Sequence, residues 1–157
     1  MNIHTKSYAP AKRNMGIATL SLALFWLMMP TTARATQVAV IAHLDAPADT
    51  LANTRLLDFY TGDVQTWNGE MAVVFFDLKP RNKVKKTFYH FLGKSPSRMK
   101  SIWMKRMLAG EGEPPQALSS SREMLEKVAT TPGAIGFAHR DSVHGPVKVL
   151  AIIPIPS

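Results

Sequence analysis

The 157-residue sequence contains no cysteine. This absence excludes a disulfide-stapled scaffold, a cysteine zinc site, an iron–sulfur cluster and a thiol nucleophile. The five histidines show neither HxH nor HExxH spacing, so the sequence carries no local metal-binding motif. The serines at 119–121 lack a surrounding Gly-x-Ser-x-Gly turn and are interpreted as a helix cap. We therefore predict a protein without enzymatic activity, and we expect neither a cofactor nor a metal.

Long apolar runs are also scarce, and the clearest one lies near the N-terminus. Residues 17–29 form an uncharged stretch that is shorter than the roughly 20 residues needed to span a bilayer. Lys6, Lys12 and Arg13 precede this stretch, no acidic residue occurs in it or before it, and Ala33-Arg34-Ala35 follows it. This order is typical of a secretory signal peptide. We predict a signal peptide at 1–35, cleavage after Ala35, and a periplasmic mature domain at 36–157; an uncleaved membrane anchor is the alternative.

Proline and glycine residues divide the mature chain into segments with strand or helix patterns. The pattern predicts the order β-α-β-α-α-α-β-β, with strands at 37–43, 71–76, 134–138 and 147–153. The predicted helices begin near Asp49 or Thr50, at Arg81, at Ser95-Pro96 and at Ser121. We therefore expect an α/β domain with a mixed sheet of about four or five strands flanked by helices. We also expect Trp67, Trp103 and Ile135 to be buried.

Acidic residues are missing from the whole stretch 79–106, which holds ten basic residues. One interpretation is a solvated outer face of two helices. The other is an anion-binding surface, because Arg81 and Lys83 lie where a strand gives way to a helix, and a helix N-terminus offers unpaired amides and a positive dipole end. Nucleic acid is not expected as a partner, since the protein is predicted to be exported and no recognition motif is present.

Three ordered motifs resemble a known protein family. The segment 56–62 (LLDFYTG), followed by Trp67-Asn-Gly69, resembles a conserved segment of phosphate-type periplasmic solute-binding proteins. The segment 131–137 (TPGAIGF) resembles the Thr-Pro-Gly-(Ala/Ser)-Ile-Gly-Tyr turn and strand of the same proteins. The chain between them is similar to short family members described as phosphate ABC transporter substrate-binding-like, at residues 86–89 and 92–93, at Trp103 and at 110–115. The likeness spans nearly all of 38–153.

This resemblance implies a single-lobe periplasmic binding protein-like domain that binds phosphate or a similar small anion in transport or sensing, with a membrane transporter as partner. The stretch 77–86 corresponds to the Ser-Gly-Thr phosphate loop of the full-length family members but lacks that motif. The mature chain is also about half the length that two lobes require, so an enclosed site would need a homodimer or a docked partner. From the helix-start argument, the candidate ligand-binding residues are Lys79, Arg81, Lys83 and, more weakly, Thr87. The alternative function is an interaction module whose basic face contacts a membrane receptor, anionic lipid or an acidic partner.

Overall fold

The computed structural model describes residues 37–154, so the predicted signal peptide lies outside the described residues. These residues form one five-stranded sheet with helices packed against it. The strands are β1 (Gln37–His43), β2 (Val74–Leu78), β3 (Gln116–Leu118), β4 (Ala134–His139) and β5 (Val147–Pro154). The helices are α1 (Asn53–Thr61), α2 (Lys83–Phe91), α3 (Pro96–Leu108) and α4 (Ser121–Thr130), with a 3₁₀ turn at Arg140–Ser142.

The sheet is mixed, as the sequence predicted, and its strand order is β3-β2-β4-β1-β5. β2 runs parallel to both β3 and β4, whereas β1 pairs antiparallel with β4 and β5. The five central residues of β1 are fully buried, which explains its continuous apolar sequence VAVIA, because both faces of this strand are covered. The β2 strand ends beside the start of α2, and this junction positions the candidate site.

The helix boundaries follow local capping chemistry. The Ser95 side chain accepts a hydrogen bond from the Arg98 amide at the start of α3, where Pro96 occupies a tolerated first-turn position. At the start of α4, the Ser120 side chain accepts a hydrogen bond from the Glu123 amide, and the Glu123 carboxylate accepts one from the Ser119 amide. This arrangement resembles a capping box, except that the carboxylate binds the amide of Ser119 instead of that of the N-cap residue Ser120. Gly62 ends α1 in the left-handed conformation, which glycine adopts without a steric penalty.

Four local predictions differ from the structure. The α1 helix begins at Asn53 without a side-chain cap, and Asp49 instead pairs with Lys148 at 3.2 Å. The α2 helix begins at Lys83 rather than Arg81, because Asn82 is its N-cap. Strand β2 runs over Val74–Leu78 rather than 71–76, since the preceding residues form a short antiparallel bridge (Thr66 with Ala72) instead of joining the sheet. The short strand β3 was not predicted: three residues are too few to show a period.

The core is built around stacked aromatic rings. The rings of Phe88 and Phe137 stack with centroids 3.9 Å apart, and the Tyr60 ring meets Phe88 edge-on at 4.7 Å. The predicted burial of Trp67, Trp103 and Ile135 is confirmed, with exposures of 7%, 6% and 0%. Within residues 37–154, no helix combines the length and the apolar character needed to cross a membrane.

Candidate anion-binding groove

A groove of about 750 Å³ lies between the start of α2, the length of α3 and the segment before β3. Two kinds of residue line it. The polar and charged residues are Asp77, Arg81, Asn82, Lys83, Lys85, Lys86, Ser97 and Lys100. The remaining lining residues are Pro80, Tyr89, Pro96, Met99, Trp103, Met104, Met107, Pro114, Pro115 and Ala117.

The turn between β2 and α2 gives the groove its basic side. Arg81 adopts a left-handed conformation with φ = 71°, the one non-glycine residue with positive φ among the described residues. Asn82 then caps α2 by accepting a 2.9 Å hydrogen bond from the Val84 amide. Arg81 and Lys83 are both exposed, so their charges are accessible at the helix N-terminus. A helix N-terminus favours negative charge, and the two cations add to that preference.

A buried ion pair lies beneath this basic side. The Lys85 ammonium donates to the Asp77 carboxylate at 2.6 Å and to the Leu78 carbonyl at 2.9 Å. The same carboxylate accepts from the Tyr89 hydroxyl at 2.7 Å and from the Leu78 amide at 2.7 Å. The Lys85 ammonium also lies 5.5 Å from the centre of the Tyr89 ring. The Asp77 carboxylate therefore accepts three hydrogen bonds, and Lys85 compensates its charge.

Burial, and then the Asp77 charge, raise the pKa of Tyr89 far above its usual range. Tyr89 therefore remains a neutral hydrogen-bond donor at physiological pH, and its hydroxyl holds the carboxylate in place. Burial likewise raises the pKa of Tyr60, whose hydroxyl donates to the Phe76 carbonyl at 2.9 Å next to Asp77. Tyr89 lines the groove, whereas Tyr60 lies outside its lining in the core.

The groove carries a net positive charge. Asp77 is the one acidic residue that lines it, and Lys85 neutralises that residue. The cations Arg81, Lys83, Lys86 and Lys100 remain without an acidic partner in the ion pairs of the described residues. Within residues 37–154, no cluster of three histidine, aspartate or glutamate side chains could hold a metal ion. The unpaired cations of the groove favour a negatively charged ligand.

The four candidate residues from the sequence separate into two pairs. Arg81 and Lys83 line the groove. Lys79 and Thr87 lie outside its lining: the Lys79 amide donates to Leu118 where β2 pairs with β3, and Thr87 is half-buried in α2.

Sequence reasoning missed the buried group of Asp77, Lys85 and Tyr89. Lys85 and Tyr89 stand four residues apart, and this spacing places them on one face of α2. The spacing of Lys85 and Tyr89 could have been recognised in the sequence. The contact with Asp77 could not, because Asp77 belongs to β2 and meets them only after folding. Lys100 was also missed as part of the site, because only the packing of α3 beside α2 brings it to the groove.

No protein-family model matches this sequence, and no curated protein is detectably similar to it. Solved structures do share its fold. A protein from Clostridium perfringens, described as a phosphate ABC transporter substrate-binding protein with bound phosphate, matches with a TM-score of 0.62 and 18% identity over 74% of this chain and 45% of its own. An ABC-type phosphate transport receptor from Vibrio cholerae matches with a TM-score of 0.59 and 17% identity, over 74% of this chain and 46% of its own.

PstS from Borrelia burgdorferi is similar as well, with a TM-score of 0.55 and 13% identity over 74% of this chain and 47% of its own. At these identities the likeness concerns the fold alone. It confirms an α/β domain of the periplasmic binding protein type, as the sequence motifs implied. This chain spans less than half the length of each of these three proteins.

Proposed function

We propose that this chain is an exported solute-binding protein without catalytic activity, and that it binds phosphate or a similar oxyanion in the groove at the start of α2. One observation carries the proposal: the groove is lined by five cations and a single acid, and that acid is already paired with one of them, Lys85. The bound phosphate of the Clostridium perfringens neighbour is consistent with it.

The groove offers an oxyanion three kinds of contact. The Arg81 guanidinium can donate two parallel hydrogen bonds, which suits the geometry of phosphate oxygens. Lys83 supplies a point charge one residue into α2, where the helix dipole also favours an anion. Lys86 and Lys100 add charge from α2 and α3. Lys79 and Thr87 are peripheral in this proposal, because neither lines the groove.

The ion pair beneath the groove has an electrostatic role in this proposal. A carboxylate at the Asp77 position would repel an incoming phosphate if its charge were uncompensated. Lys85 cancels that charge at 2.6 Å, so the Coulombic field of the groove is dominated by the four remaining cations. We therefore assign Lys85 to the support of the site and not to direct ligand contact.

Titration calorimetry with inorganic phosphate tests the proposal on the purified protein. The double variant R81N/K83A should weaken binding at least about tenfold, because it removes one or two charge-assisted hydrogen bonds to the anion. Asparagine is preferred to alanine at position 81 because it tolerates positive φ. The control K105A/K127A removes the same charge from two exposed lysines outside the groove and should weaken binding less than about threefold.

Two results would count against the proposal. If calorimetry detects no binding of phosphate, sulfate or a similar oxyanion, the proposed anion site is wrong. Equal losses in the two double variants would indicate a diffuse electrostatic surface, and that loss should shrink as salt approaches physiological strength. The second result would favour the alternative function, an interaction module whose basic face contacts a membrane receptor or an acidic partner. That alternative is favoured by the positive charge that lies outside the groove, at residues such as Lys94, Arg98 and Lys105.

Export is a separate part of the proposal and has its own test. Mass spectrometry of protein from the native periplasm should give an N-terminus at Thr36. Intact Met1 on a soluble exported form would contradict a cleaved signal peptide. We also propose that a partner covers the open side of the groove, either a membrane transporter or a second copy of this chain, because Arg81 and Lys83 are exposed there.

A further inference from the structure

We propose that the ligand of the groove is an amphiphilic anion and not inorganic phosphate alone. This anion is a phosphate monoester that carries an apolar chain and binds as a monomer from solution. The inference rests on the proposed anion site and adds the class of the molecule that fills the remainder of the groove. The start of α2 makes one side of the groove basic, and Lys100 of α3 adds to that charge. The methionines of α3 and the segment before β3 supply an apolar wall.

The apolar wall is built from one face of α3. Met99, Trp103 and Met107 lie four residues apart, and this spacing places them along one side of the helix. Met99 and Trp103 are buried at its base, and Met107 remains 46% exposed above them. Met104 next to Trp103 is 43% exposed. Methionine side chains are flexible and polarizable, so they adapt to apolar ligands of varied shape.

Two prolines complete the apolar side. Pro114 and Pro115 lead into β3 and line the groove together with Ala117. They contribute rigid apolar surface and, having no backbone N–H, no hydrogen-bond donor. This composition, an apolar lining with a few convergent polar groups, is typical of sites for organic ligands, and about 750 Å³ lies within the usual range of roughly 300–1,000 Å³.

Inorganic phosphate matches only the basic side of such a groove. It has no apolar surface, so binding it would leave the exposed parts of Met104 and Met107 in water. A phosphate monoester satisfies both sides: its head group meets Arg81 and Lys83, and its chain covers the methionines. Charge complementarity selects the anionic head, and removal of apolar surface from water stabilises the chain.

A homologous ligand series tests this inference by calorimetry at constant ionic strength. The series is inorganic phosphate and butyl, hexyl and octyl phosphate, each below the concentration at which it forms micelles. Affinity should rise about two- to fourfold for each added methylene, since a fully buried methylene corresponds to about fourfold. Octyl glucoside, which carries the same chain without the charge, should bind at least about tenfold more weakly than octyl phosphate.

Matched variants localise the effect. M104Q/M107Q keeps side-chain length but makes the wall polar, so it should flatten the dependence of affinity on chain length. L108Q changes an apolar residue of the same helix that is 80% exposed and outside the groove, and it should leave that dependence unchanged. Equal flattening in both variants would overturn the inference.

The remaining outcomes separate this inference from the proposed function. Binding of inorganic phosphate with no gain along the alkyl series would overturn the amphiphile and leave the oxyanion site standing. Strong binding of octyl phosphate with no measurable binding of inorganic phosphate would support the amphiphile and revise the proposed function. Binding to anionic phospholipid vesicles without affinity for the monomeric alkyl phosphates would overturn the inference, because the basic face would then contact a membrane surface.

Discussion

The Lys85 ammonium lies 2.6 Å from the Asp77 carboxylate, and the two side chains are only 13% and 10% exposed. This pair joins the end of β2 to α2 beneath the groove. Removing one partner of a buried ion pair is costly because the other charge remains without compensation. The pair thus ties the stability of the fold to the electrostatics of the proposed site.

K85M should therefore destabilise the protein by about 3 kcal/mol, at the lower end of the range for broken buried pairs because Tyr89 and the Leu78 amide still serve the carboxylate. Denaturant unfolding measures this loss. The double variant D77N/K85M, which removes both charges, should recover part of it. K86M is the matched control on the same helix: its lysine is exposed, and the change should stay within about 0.5 kcal/mol.

The Trp103 indole is a second point of tertiary stability. Its N–H donates to the Tyr60 carbonyl at 2.9 Å, and its ring lies against Gly62, where an added Cβ would come within 2.8 Å of the ring. W103A should lower the free energy of unfolding by roughly 3–5 kcal/mol, the usual range for a buried large aromatic. Leu108 on the same helix is 80% exposed, and L108A should have almost no effect. A loss below about 1 kcal/mol for W103A would contradict this packing.

The left-handed backbone of Arg81 should cost stability. A non-glycine residue at φ = 71° is strained by roughly 1–2 kcal/mol, part of which glycine regains after its own entropy cost. R81G should thus raise the free energy of unfolding by about 0.5–1 kcal/mol while weakening phosphate binding. K86G, inside α2, should change stability in the opposite direction by a similar amount. A destabilised R81G would show that the arginine makes contacts that outweigh its backbone strain.

The buried tyrosines predict how stability depends on alkaline pH. Burial raises the pKa of both Tyr60 and Tyr89, so above about pH 10 the unfolded chain releases their phenolic protons and the folded chain keeps them. The contribution of the two tyrosines to the free energy of unfolding is fully present below about pH 10 and is lost as the pH rises above that value. Unfolding curves should show a fall that is shallower in Y60F and in Y89F, by up to about 1.4 kcal/mol per pH unit for each tyrosine removed. An unchanged slope in both variants would contradict the burial of the two hydroxyls.

Much of the fold could be predicted because local chemistry determines it. The apolar run of β1, the caps at Ser95 and Ser120, and the left-handed Gly62 are all local features, and the structure contains each of them. The class of fold followed from the alternation of such segments, and the solved structures confirm it. The prediction was wrong at Asp49, whose carboxylate lies 3.2 Å from the Lys148 ammonium, while α1 begins later, at Asn53.

The sequence by itself determined where the positive charge is concentrated and that a helix follows the strand end near Arg81 and Lys83, although α2 begins at Lys83 and Arg81 lies in the preceding turn. Only the tertiary structure decided that Asp77 is neutralised by Lys85, and that Lys100 and the methionines of α3 line the same groove as the start of α2. The physical reason is range: capping and helix dipoles act within one turn of the chain, whereas charge compensation and a two-sided groove depend on which elements pack together.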